Sequence, residues 1–355
     1  MKKILYAVSL CWMCLADATE FRPEATAQWQ LQAELPLTEA MRQLQQEIRR
    51  GAGDASKLQL AHHYLTGARR PGYDDWFHQA EQLLQDISGP ASASASYYQL
   101  LADIQQQQHQ FAEALTSLDK VFQLQANDMQ ASLMAARVHL AMDQTEAARR
   151  ACGRLWQQDL FLFSVCQYEV AGRQGQWQQS YAALSQLWQR QRGLPTELDI
   201  WLRGILAEQA EQLGLTATAM QWLEPILAQA PTSIWLKWAD LNLALGQAAS
   251  VYQQLSVLPT AQLSDSLLVR LARAEQQLGK ARDFQQRLTQ RMQLRLARGD
   301  TEHAADVANY FLYIVADAKA ALKWAERNYQ TAKEPDDKQL LMLSRMALNN
   351  ETGVE

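Results

Sequence analysis

Helix-breaking residues are scarce in this chain: nine prolines and fifteen glycines are spread over 355 residues, so long helices are permitted almost everywhere. Basic charge is scarce as well. Lysine and arginine number 33 against 38 aspartates and glutamates, a net charge of -5, and setting aside Lys2, Lys3 and Asp17 leaves 31 against 37, or -6. That balance excludes the basic stripe that nucleic acid rewards, and it gives no reason to bind an anionic membrane surface. Catalytic signatures are missing too. The six histidines (His62, His63, His78, His109, His139 and His303) make no H-E-x-x-H, no Cys/His cluster has zinc spacing, and there is no Gly-rich phosphate loop or nucleophile elbow.

The apolar stretch from Ile4 to Ala16 is preceded by Lys2-Lys3 and followed by Ala16-Asp17-Ala18. Together these form the three parts of a secretory signal, with cleavage expected after Ala18. The stretch is shorter than the roughly 20 residues that span a bilayer. The mature chain is therefore expected to begin at Thr19, to carry no transmembrane segment, and to be periplasmic or secreted. Cys11-Trp12-Met13-Cys14 has the spacing of a redox motif but falls inside this leader, which removes that reading. Of the four cysteines, Cys152 and Cys166 then remain. Each lies seven residues from Asp159, where a turn between two helices is expected, so the two thiols come to equal height in an antiparallel pair. In an oxidising compartment they are expected to form a disulfide closing a short loop; the alternative is a pair of buried free thiols.

Hydrophobic residues make up 48% of the chain, and they recur at helical spacing. Leu37, Met41, Leu44 and Ile48 share one face of a helix that Gly51-Ala52-Gly53 stops. Asp54 can cap a second helix to about Thr66, and the connection Gly67 to Asp75 leads to a third carrying Trp76, Phe77, Ala80, Leu83 and Leu84. From Ser96 onward a pattern repeats. Tyr98, Leu101 and Ala102 precede a polar turn, and Phe111, Ala114, Leu118 and Val121 follow it. Ala148 lies 34 residues after Ala114, and further turns fall at Gly175, Gly214, Gly246 and Gly279. Pro231 and Pro335 each follow a second helix, and Leu340, Leu341, Leu343 and Met346 suit a terminal helix.

This layout resembles the tetratricopeptide repeat, whose period is 34 residues. The resemblance implies an all-α, right-handed superhelical solenoid of antiparallel helix pairs, in which stacked copies share one core. It divides the chain into a signal peptide (1–18), an N-terminal extension (19–36), an N-terminal helical repeat region (37–90), a repeat array with a C-terminal capping helix (91–348) and a flexible tail (349–355). The long connection from Gly67 to Asp75 maps to a rim loop. In this family the first helix of each pair lines a concave groove, and carrying the ninth repeat position across copies places Asp103, Arg137, Glu169, Glu208, Asp240, Arg273 and Tyr310 there. Trp201 also falls on a groove-facing position, whereas Trp235 matches the aromatic core position. The implied function is a non-catalytic protein-interaction scaffold or adaptor of the bacterial cell envelope, with protein partners, no cofactor and no nucleic acid. The alternative is a periplasmic small-ligand or metal-handling protein with its site near His62, His63 and His78.

Overall fold

The protein is seen in a computed structural model that describes residues 36–352. The expected signal peptide, nearly all of the extension and residues 353–355 lie outside the described residues. Those that are described are helical and form no strand. Helix α1 (Glu39–Arg49) leads into eight hairpins. They are α2 (Asp54–Ala68) with α3 (Trp76–Gln85), α4 (Ala95–Gln107) with α5 (Phe111–Leu124), α6 (Met129–Ala141) with α7 (Thr145–Gly153), and α8 (Leu160–Arg173) with α9 (Trp177–Arg190). Then come α10 (Thr196–Gln212) with α11 (Thr216–Leu223), α12 (Thr232–Ala244) with α13 (Ala248–Ser256), α14 (Asp265–Gln277) with α15 (Asp283–Arg298), and α16 (Ala304–Tyr310) with α17 (Ala318–Thr331). Helix α18 (Pro335–Thr352) follows. Even-numbered helices pack on one another from α2 to α10 and again from α12 to α18, forming one layer, with their odd-numbered partners forming a second. The chain is thus an all-α solenoid of antiparallel helix pairs.

Local chemistry sets the helix ends. The side chains of Thr38, Ser94, Asp128, Asp159 and Asp317 accept hydrogen bonds from backbone N–H groups of the first turns they precede, satisfying donors that a helix start leaves open. Each hairpin from α4 to α15 turns through one residue in the left-handed region: His109, Asp143, Gly175, Gly214, Gly246 and Gly279, with φ between 56° and 92°. Glycine takes this conformation without steric cost, which is why four of these turns are visible as glycines in the sequence.

Small side chains let the helices approach. Ala102, Ala114, Ala136 and Ala148 are all buried, and Ser180 and Val251 are equally buried on later second helices. From α4 onward the core is continuous, because aromatics are shared between successive clusters: Trp201, then Tyr181 and Trp222, then Phe284, then Trp324; a separate cluster of Met41, Leu60, Leu65 and Leu84 lies beneath α1 to α4. A disulfide joins Cys152 on α7 to Cys166 on α8, with Cα atoms 5.6 Å apart. The fold departs from expectation in two places. Residues 349–352 continue helix α18 rather than forming a tail, since nothing in Ala347-Leu348-Asn349-Asn350 breaks it. The long connection after α2 is not a free rim loop: the carbonyl of Arg69 accepts hydrogen bonds from the backbone N–H and hydroxyl of Thr232, 2.7 and 3.1 Å away.

Candidate partner-binding groove

One polar row runs along the even-numbered helices, and its register follows from the repeat. Asp103 lies eight residues after the start of α4 at Ala95, and Arg137, Asp240 and Arg273 lie eight after Met129, Thr232 and Asp265. Residues at one depth in stacked parallel helices become neighbours, so the row is bridged from helix to helix. Arg69 on the α2 side pairs with Asp103. Arg173 meets Glu208 at 2.8 Å, Lys237 meets Glu211 at 2.9 Å, and Asp240 takes both Arg270 and Arg273 at 2.7 Å. The Arg273 guanidinium also sits 3.6 Å over the ring of Tyr313, a cation–π contact that holds it flat against the wall.

On both sides of α6, toward α4 and toward α8, the ladder has no ion pair among the described residues. Arg137 has no ion pair with another described side chain, although it faces the field of Glu169 on the next helix. Its side chain is exposed, but to the interior of the groove; the surrounding protein lowers the guanidinium pKa, while the Glu169 charge works against that fall. Glu169 is half-buried, and its pKa rises to about 7, first through desolvation and then through the like charge of Glu208, against the pull of Arg173 and Arg137. The indole N–H of Trp201 turns toward this carboxylate and favours its ionised form, yet it is buried without an acceptor at hydrogen-bond geometry. Asp240 behaves in the opposite way. Burial pushes its pKa up, but Arg270 and Arg273 outweigh that and hold it below the usual carboxylate value.

Comparison with known proteins adds little beyond the fold. No family model matches the chain, and no curated protein matches it. Among solved structures, a tetratricopeptide repeat protein from Parabacteroides merdae is 12% identical over 86% of this chain and 98% of its own, with a TM-score of 0.37. The C-terminal part of a repeat protein from Cytophaga hutchinsonii is 11% identical over 68% of this chain and 98% of its own, also at 0.37. A human IFIT1 dimer is 14% identical over 88% of this chain and 73% of its own, at 0.35. The fold assignment rests on the helix pairs described above. The chain is a tetratricopeptide-like solenoid.

Within that solenoid, seven of the eight residues expected in the groove share or border the row: Asp103, Arg137, Glu169, Trp201, Glu208, Asp240 and Arg273. Trp201 does so only through its polar edge, since its ring packs into the core on both sides. Tyr310 is a correction. It is buried among Leu268, Leu288 and Val307, with its hydroxyl 3.4 Å from Thr289, and so is not a groove contact. It lies only six residues after the start of α16, because the long α15 and the turn after it delay that helix; Tyr313, nine residues in, takes the place. Sequence reasoning also missed Arg69, Arg173, Lys237 and Arg270. Arg69 lies 34 residues before Asp103, and the others lie three or four residues from a row member on the same helix, a spacing that puts them on its face. The three histidines near α2 do not converge. His62, His63 and His78 are exposed, and among the described residues no three His, Cys, Asp or Glu side chains lie close enough to hold a metal ion.

Proposed function

We propose that this chain is a non-catalytic scaffold that holds a partner protein in its concave groove within the bacterial cell envelope. The observation that carries the reading is the open rung between α6 and α8. The rungs α2–α4, α8–α10, α10–α12 and α12–α14 are closed by internal ion pairs, whereas Arg137, Glu169 and the Trp201 N–H present a cation, a carboxylate near its titration point and a buried indole donor side by side. A partner chain supplying a carboxylate or backbone carbonyls would satisfy the Arg137 and Trp201 donors, and a backbone N–H of the same partner would meet Glu169; the buried indole N–H is costly until an acceptor reaches it. The disulfide and the leader-like first eighteen residues support an oxidising, exported setting. The test is a photo-crosslinking residue placed at Arg137 in the native envelope, compared with one at exposed Gln123 on α5. Adducts from position 137 that are absent from position 123 support the groove. Equal labelling from both positions, or none from 137, overturns it.

A further inference from the structure

The groove is not an open trough. The turn region of the first full hairpin reaches across to the fifth inner helix after it, where Thr232 donates two hydrogen bonds to the Arg69 carbonyl, 163 residues away in the sequence. This contact has a physical cause on each side. Thr232 opens α12, so its backbone N–H has no acceptor within the helix, and an external carbonyl is the natural partner. The carbonyl is held in place because the Arg69 side chain is anchored to Asp103 and to the Leu65 carbonyl 2.9 Å away. The loop itself is braced. Tyr73 and Tyr64 both stack edge-on against Trp76, at 4.6 and 5.4 Å, and Gly67 has no side chain because the Trp76 ring occupies that space.

A second contact closes the groove from the other end of the chain. Asp336, in the first turn of α18, reaches Lys237 on α12 at 2.6 Å, alongside the Lys237–Glu211 pair. The two ends thus meet over the same helix. Electrostatics agree with that enclosure: Asp74 at the loop tip feels the charges of Asp306 and His303, and His109 and Asp337 influence each other.

We infer that residues 69–75 form a built-in clasp that, with the start of α18, keeps the groove closed until an entering partner displaces the Arg69 carbonyl from Thr232. The inference rests on the groove reading for the identity of what enters, but the closure is a property of the chain alone. It is light enough to open, since two hydrogen bonds on one acceptor and an ion pair exposed on its Asp336 side are what hold it.

The test is hydrogen exchange on the full chain with Thr232→Pro, which deletes the backbone donor and the hydroxyl together. Proline is well suited to the first position of a helix and the preceding Pro231 is already extended, so α12 is expected to survive; its amides from Leu236 to Leu245 serve as the control. Thr232→Val removes the hydroxyl alone and gives an intermediate case. The expected result is exchange of residues 69–76 faster by about tenfold in the proline variant and by less in the valine variant, with the α12 control unchanged. Unchanged exchange in 69–76 overturns the clasp. The crosslinker at Arg137, placed in the Thr232→Pro background, reports gating. A rise in adducts supports displacement by a partner; equal adducts with and without the substitution overturn gating even if the loop has loosened. Absence of adducts in both backgrounds removes the groove reading, and the exchange result then decides the closure by itself.

Discussion

At the scale of single residues, Glu169 is the group whose environment and chemistry diverge most. A carboxyl whose pKa rises on folding, here from an ordinary 4.5 to about 7, binds its proton more tightly in the folded chain. Its stabilising contribution is therefore complete below pH 4.5 and is lost as pH rises through 7. Glu169→Gln keeps the shape and removes the titration. Urea unfolding at pH 5 and pH 8 should show the variant gaining on the wild type at the higher pH, by on the order of 2 kcal/mol for a half-buried group. A difference between variant and wild type that is the same at both pH values would refute the account. The neighbouring Arg137 stays charged throughout, so the open rung changes from a cation facing a neutral acid to a cation facing a carboxylate across this range.

At the scale of helices and turns, the hairpins differ in how they pay for the left-handed residue. Asp143 adopts φ 59° where Gly175, Gly214, Gly246 and Gly279 do so freely. Asp143→Gly should stabilise the chain by about 0.5–1 kcal/mol, read as a higher urea midpoint with an unchanged slope; destabilisation would mean that the aspartate side chain does more for the turn than its backbone costs. The disulfide acts on the next turn along. Replacing Cys152 and Cys166 together by alanine should cost about 3 kcal/mol, the value for releasing a loop of this length, and the wild type under reducing conditions should lose a similar amount. A loss below about 1 kcal/mol in both would show that the unfolded chain gains little from the release.

These same elements show what was legible beforehand. The helix pairs, the crossing alanines, the glycine turns and the cysteine pairing follow from local spacing, because each is fixed by residues within one or two turns of helix. At the turns of His109 and Asp143 the left-handed residue was less legible than at the glycines, since Asp and His favour that conformation only weakly. Tyr310 was misplaced because a lengthened hairpin shifts the row by a few residues, and an inferred register accumulates such shifts without showing them. Arg69 meeting Thr232 and Asp336 meeting Lys237 had no local signal at all. They depend on how far each hairpin rotates relative to the last, a quantity summed over five repeats in the first case and three in the second.

At the scale of the whole molecule, a solenoid responds to a deletion mainly at the nearest neighbour, because each repeat contacts only those beside it. Among the described residues, the Arg69–Thr232 and Lys237–Asp336 contacts break that rule. Removing residues 335–355 takes away Leu340 and Leu341, which bury Ala308 and Ala325, so amides in α16 and α17 should exchange faster by about a hundredfold or more. A strictly one-dimensional array would change nowhere else. Here the deletion also takes Asp336 from Lys237, 99 residues back in the sequence, leaving that ammonium with Glu211. Exchange in the first half of α12 should therefore rise as well, by roughly three- to tenfold for one partly exposed ion pair, while α4 to α7 stay unchanged. Lys237→Met in the intact chain should reproduce the α12 change without the α16–α17 change. If truncation leaves α12 at its wild-type rate, the two ends of the chain are in contact but not coupled, and the closed groove is a consequence of curvature alone.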